Sequence, residues 1–196
     1  MPWSIASSMR FAPERILRRV RTFALSAVGA DRPGIIAAIA ERLVAHGVNV
    51  TDSQMGILRG FFAMTLLVQA PEDCAEEALR EDLGAAAAAL GLEALTLREV
   101  AAPDASALDT PTHVVSVYGA DHPGIVAAVT AGLAEAGVNV CDLRTRLVSD
   151  DAVYVMVVDV AVPAGLDEAA LDRALQAVAG RAGVDIALHA ADADVL

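Results

Sequence analysis

With 196 residues, 56% of them apolar and only 4% aromatic, the chain has room for one large or two small domains whose cores are built from Ala, Val, Leu and Ile. The net charge of −12, with all 14 basic residues arginine, opposes broad contact with nucleic acid, because that affinity rests on neutralising phosphates. No apolar run approaches the roughly eighteen residues of a membrane span, and the opening MPWSIASSMR lacks the apolar block of a signal peptide, so a cytoplasmic location with no membrane contact is expected.

The stretch up to Arg21 holds Arg10, Arg15, Arg18, Arg19 and Arg21, more than a third of the positive charge. FAPERILRRV allows a short helix after Pro13. Such an extension, residues 1–20, reads either as a solvated tail or as a basic arm for an acidic partner.

From Arg21 to Val28 the pattern is strand-like, with Phe23, Leu25 and Ala27 on one face. Residues 29–52, GADRPGIIAAIAERLVAHGVNVTD, then form a unit of tight loop, helix and strand. Asp31 is expected as a helix N-cap, its carboxylate accepting backbone N–H bonds. Pro33 falls in the first helical turn, where its missing N–H costs nothing. Ile35, Ile36, Ile39 and Leu43 recur at helical spacing, and Gly47 ends the helix as a C′ residue. A strand over 48–58, a turn at Arg59-Gly60 and a second strand from Phe61 predict a hairpin closed by Pro71. A helix over 72–90, stopped by Gly91, and the strand LEALTLREV complete the unit at Val100.

Residues 101–111, AAPDASALDTP, read as a linker. The same order then returns. Residues 119–142, GADHPGIVAAVTAGLAEAGVNVCD, match residues 29–52 at more than half of their positions, at a constant offset of 90. A repeat of that length and number indicates two homologous domains, 21–100 and 112–191. The second half is expected as strand 113–119, helix 123–136, strand 138–148, a turn at Ser149–Asp151, strand 153–162, helix 167–182 and strand 184–190. Two such βαββαβ units define an α+β chain of two ferredoxin-like domains in tandem, each a four-stranded antiparallel sheet with two helices on one face. Apolar residues on the other face call for a neighbour, and a homodimer is one way to provide it.

In each copy the loop opens a helix, so its free N–H groups and the helix dipole suit a carboxylate. Gly34 and Gly124 let a ligand approach the backbone. Asn49 and Asn139, expected beside that loop, each offer a donor and an acceptor. Strict alternation from Val48 and Val50, or Val138 and Val140, would bury Asp52 and Asp142. A lone buried carboxylate is costly, so either a bulge near Cys141–Leu143 turns it outward or a ligand ammonium meets it. The bland alternatives are that the aspartates only cap helices and that the asparagines form Asx turns. His122 replaces Arg32 between the copies, which marks a tolerant rim. Cys74 and Cys141 lie in unlike contexts and support neither a disulfide nor a zinc site; no cofactor or metal is expected.

The D-x-P-G-I-[IV] loop, its helix and the G-V-N-V-x-D strand resemble the ACT domain over nearly all of residues 21–190. Two copies in tandem resemble the glycine cleavage system transcriptional repressor family. The resemblance implies a binding module, not an enzyme. It would sense a small amino acid, with glycine or serine in view, and pass the signal to a regulatory protein partner. The implied ligand residues are Asp31, Pro33, Gly34, Ile35, Asn49 and Asp52, and their counterparts Asp121, Pro123, Gly124, Ile125, Asn139 and Asp142. Ser53 and Gln54 slightly favour the first copy as the site. A structural pairing module without ligand is the alternative. A small ferredoxin-like enzyme is a weaker one, since an acyl-phosphate hydrolase would need an Arg in loops that carry Asp31 and Asp121 instead. RNA recognition would need more exposed aromatics than Phe61, Phe62 and Tyr154.

Overall fold

The structure is a computed structural model, and it describes residues 20–101, 109–148 and 153–191. The helix expected after Pro13, the turn at Ser149–Asp151 and most of the linker lie outside those residues. The chain divides between Pro103 and Asp104 into two compact units.

In the first unit the elements are β1 (Val20–Ala30), α1 (Ile35–Ala45), β2 (Asn49–Leu58), β3 (Phe61–Pro71), α2 (Glu76–Leu90) and β4 (Leu92–Val100). The second unit runs β5 (His113–Ala120), α3 (Ile125–Glu135), β6 (Asn139–Val148), β7 (Val153–Ala161), α4 (Glu168–Ala182) and β8 (Val184–Ala190). The sheets have the orders β2-β3-β1-β4 and β6-β7-β5-β8, every pair antiparallel. This is the α+β, tandem βαββαβ architecture that the sequence predicts.

Period-two burial fixes which side of each sheet faces its helices. Phe23, Leu25 and Ala27 of β1 and Phe62, Met64, Leu66 and Val68 of β3 are buried with Ile35, Ile39, Leu43, Leu79 and Leu83 from the helices. Val115, Val117, Met156, Val158, Val129, Leu133, Leu171 and Leu175 do the same in the second unit. The edge strands contribute least, and β2 leaves Met55, Ile57 and Leu58 exposed.

Glycines set the turns where a positive φ is required. Arg59 and Gly60 have φ of 52° and 89°, the two-residue hairpin turn whose twist matches its strands. Gly47 ends α1: its N–H reaches Val44 O at 2.9 Å while Val48 N–H reaches Leu43 O at 2.9 Å, a Schellman closure. Gly137 and Val138 repeat it on Ala134 and Leu133 at 3.0 and 2.9 Å.

Two expectations about helix starts are corrected. Asp31 and Asp121 do not cap α1 and α3. The N-cap positions are Gly34 and Gly124, with φ of 96° and 103°, and neither helix has a side-chain cap. The chain leaves the strand through a left-handed turn that only glycine adopts cheaply, so each aspartate falls three residues too early. Pro33 and Pro123 lie in that turn, ahead of the helix. Second, α2 begins at Glu76 and not at residue 72, because Cys74 N–H turns back to Pro71 O at 3.0 Å. Asp167, by contrast, caps α4 with Oδ1 accepting from Ala169 and Ala170 N–H at 3.0 and 3.2 Å.

Candidate ligand site

The loop in each unit is a short bend from the end of β1 or β5 into the following helix. In α1 the first intrahelical bond runs from Ala38 N–H to Gly34 O at 3.0 Å, and in α3 from Ala128 N–H to Gly124 O at 2.9 Å. The N–H groups of the first helical turn before those residues therefore have no partner in the helix and point outward along its axis. A Cβ built on Gly34 or Gly124 would meet nothing within 4 Å, so the space above each helix start is open. An anion set there meets free donors and the positive end of the helix dipole. Ile35 and Ile125 are buried core side chains, 2% exposed, so each brings only its N–H.

The candidate residues separate into two groups. Asp31, Pro33, Gly34 and Ile35 sit at the end of the first sheet where Ala30 faces Phe61. Asn49 faces Gln69 at the other end. The eight steps along β3 from Phe61 to Gln69 span roughly 27 Å. Asn139, facing Ala161, is equally remote from Gly124 in the second unit. The expectation that each asparagine lies beside its own loop is thus corrected. Strands β1 and β2 run parallel, with α1 carrying the chain back between them, so the start of β2 returns to the start of β1 and not to its end.

The asparagines also differ from each other. Asn139 Nδ2 donates to Asp109 Oδ2 at 2.9 Å. Asn49 is exposed and makes no side-chain hydrogen bond among the described residues. The aspartates further along resolve as the bulge alternative. The ladder register shifts between Val50 and Asp52, and again between Val140 and Asp142. Asp52 is exposed and accepts from Ser53 N–H at 2.7 Å. Asp142 faces Asp159 across the ladder, and Arg144 answers both, Nε to Asp142 and Nη2 to Asp159, each at 2.7 Å. Opposed like charges destabilise a strand pair unless a cation joins them. Asp142 is thereby engaged. Ser53 pairs with Leu66 in mid-strand, away from the loop it was expected to enrich.

In the second unit the position of His122 is engaged by hydrogen bonds and is no tolerant rim. His122 Nε2 lies 2.7 Å from Ala182 O, at the carbonyl end of α4, and its Nδ1 3.1 Å from Pro123 O. Arg32 reaches over Gly91 at the carbonyl end of α2. His122 thereby places a donor on the negative end of α4 and ties its loop to that helix.

Sequence reasoning missed a second feature at the loop of the second unit. Asp121, His122, Pro123, Gly124 and the first turn of α3 line a depression of about 480 Å³ whose floor includes Tyr154. Tyr154 is 8% exposed; burial pushes its phenol up, the Asp121 carboxylate adds to that, and a hydrogen bond with Thr145 acts the other way. The signal was present in the repeat: at equivalent ladder places the first unit has Phe62 and Met55. Among the described residues, no group of three or more His, Cys, Asp or Glu stands together as metal ligands, and no helix is long and apolar enough to cross a membrane.

A βαββαβ sheet with a glycine-led helix start, present twice, defines the fold class, and comparison with known proteins gives the family. The ACT-domain model matches residues 21–96 and 112–189, so the chain belongs to the ACT-domain family. The phosphoserine phosphatase SerB2 of Mycobacterium tuberculosis is 34% identical over 168 residues, 84% of this chain. The chain spans only 40% of that relative's length. Among solved structures, an unknown protein from Galdieria sulphuraria superposes with a TM-score of 0.70 at 30% identity, covering 89% of this chain and all of that one. A protein assigned as a glycine cleavage system transcriptional repressor superposes with a TM-score of 0.67, covering 88% of this chain and 98% of its own. At 19% identity that likeness is one of fold.

Proposed function

We propose that the protein is a regulatory binding module that takes a small amino acid, glycine or serine first among them, at the D-x-P-G loop and passes the signal to a partner protein. The carrying observation is the open helix start at Gly34 and Gly124, where unpaired N–H groups meet free space. The ligand carboxylate sits on those N–H groups and its ammonium on the Asp31 or Asp121 carboxylate. Membership of the ACT family supports this reading, and so does a relative whose name makes phosphoserine its substrate. Since loop and asparagine stand at opposite ends of a unit, Asn49 or Asn139 joins such a site only from a second ACT unit, which a second copy of the chain supplies. The surplus of negative charge directs any transcriptional output through a protein partner and not through DNA.

A thermal-shift screen of the full chain against the free amino acids, followed by calorimetry, tests the proposal. A ligand at 100 times its Kd adds about 2.7 kcal/mol to the folded state, which the melting temperature reports. If no amino acid raises it at millimolar concentration, the pairing-module reading replaces this one.

A further inference from the structure

Each unit has an outer strand, β4 or β8, that follows its second helix. The two helices match in length and burial: α2 buries Leu79, Leu83, Ala86 and Ala87, and α4 buries Leu171, Leu175, Val178 and Ala179. Gly84 therefore holds the place of Gln176. In the second unit Gln176 Nε2 donates to Ile186 O at 2.9 Å, so a side chain from α4 closes that part of the β8 edge. The first unit has no side chain at this place. A Cβ built on Gly84 would meet nothing within 4 Å, so no close packing demands glycine there. Glycine inside a helix is unfavourable, and here it leaves the edge open. A groove of about 610 Å³ results, walled by Glu76, Arg80 and Gly84 of α2 and by residues 95–99 of β4. Ile186 faces Val117 as Leu95 faces Ala27. The bond to Ile186 O thus marks Leu95, Leu97 and Glu99 as the residues whose N–H and C=O groups turn away from β1. Such an edge is a template for another strand. Most of the groove's charge is settled: Glu76 takes Arg80 and Arg21, and Glu99 takes Arg21. Arg98 has no ion pair or side-chain hydrogen bond among the described residues, so the groove keeps an unanswered cation on a chain of net charge −12.

We propose that the groove between α2 and β4 is where the partner protein docks, adding an extended acidic segment to the β4 edge as a fifth strand of the first sheet. The inference rests on the partner relay in the proposed function and names its surface. Main-chain hydrogen bonds to Leu95, Leu97 and Glu99 supply affinity, and Arg98 selects a segment that sets a carboxylate against it. The groove has the volume of a pocket for a small guest, which suits a short run of extended chain better than a folded surface. The second unit, with Gln176 across its edge, offers no such site.

A displayed library of short random peptides, selected on the full chain, is the probe. The expected winners carry Asp or Glu, compete with one another, and protect the amides of Leu95, Leu97 and Glu99 from hydrogen exchange. Gly84→Gln installs the side chain of the second unit and favours the helix; it should weaken the selected peptides about tenfold or more. Arg98→Glu should weaken them by about the same factor. If no peptide is enriched, or if the selected peptides bind Gly84→Gln as tightly as the wild type, the inference is overturned. A dimer that Gly84→Gln dissociates overturns it as well, because the edge then serves a second copy. Stabilisation by amino acids in the thermal-shift screen should survive Gly84→Gln, so each of these results leaves the amino-acid module standing. Failure of the peptides and of every amino acid overturns both.

Discussion

Gly29 and Gly119 occupy the same place in the two repeats, and the structure assigns both to a close approach of strands. A Cβ on Gly29 would stand 2.9 Å from Leu92 Cα, 2.9 Å from Leu92 Cδ2 and 3.2 Å from Glu93 N. Carbon atoms prefer roughly 3.5–4.0 Å, so the start of β4 must move by about 0.6 Å or more. That start is backbone, held at a register shift between Val28 and Gly29, and has little freedom to yield. On Gly119 the nearest atom is Val184 Cγ1 at 2.7 Å, a side-chain methyl that rotates away more easily, with Val184 Cα at 3.3 Å. Overpacking costs typically about 1–3 kcal/mol. Gly29→Ala should therefore fall near the top of that range, about 3 kcal/mol, and Gly119→Ala nearer 1–2 kcal/mol. Urea unfolding followed by far-ultraviolet circular dichroism reads both, with hydrogen exchange of the β1 and β5 amides assigning each loss to its unit. Adding Val184→Ala to Gly119→Ala should recover about 1 kcal/mol relative to the sum of the single changes. If Gly29→Ala costs under 1 kcal/mol, or less than Gly119→Ala, the close-approach argument fails.

Two further expectations follow from ion pairs and caps. Glu76 lies below the usual carboxylate range because Arg80 and then Arg21 donate to it, and Glu99 does so because Arg21 donates to it. A depressed folded pKa adds stability above the ordinary glutamate value near pH 4.3 and loses it as pH falls through the folded value; Arg21→Leu should lower stability at pH 7 and flatten its decline between about pH 4 and 2, and an unchanged acid limb refutes the assignment. His122→Ala should cost about 1 kcal/mol through loss of the bond to Ala182 O; an unchanged midpoint in urea unfolding would deny the tether.

Most of the fold was legible because apolar periodicity and glycine agree along this chain. Ile35, Ile39 and Leu43 announce a helix, Phe62, Met64 and Leu66 a strand, and Gly47, Gly60, Gly91 and Gly183 mark turns or helix ends that the structure places at positive φ. The bulge was legible from the parity of Leu143 and Leu147, both packed on the core. The site was less legible. Sequence adjacency put Asn49 and the loop together, but a helix between parallel strands returns the chain to the far end of the sheet. Asp31 imitates an N-cap in sequence, and only the left-handed Gly34 shows that the helix begins later. Tyr154 and Thr145 carry no motif of their own; only the ladder shows that they take the places of Phe62 and Met55.

The claim on which the functional account turns is that the ligand lies at a glycine-led helix start and not at the asparagine end of a sheet. An amide-resolved NMR titration of the full chain with L-serine tests it most directly. The account predicts the largest shifts at the amides that open α1 and α3, Ile35 to Ala37 and Ile125 to Ala127, with Gly34 and Gly124 moving alongside them. Shifts centred instead on Asp52 and Asp142, with the Gly124 amide unmoved at saturation, would contradict it.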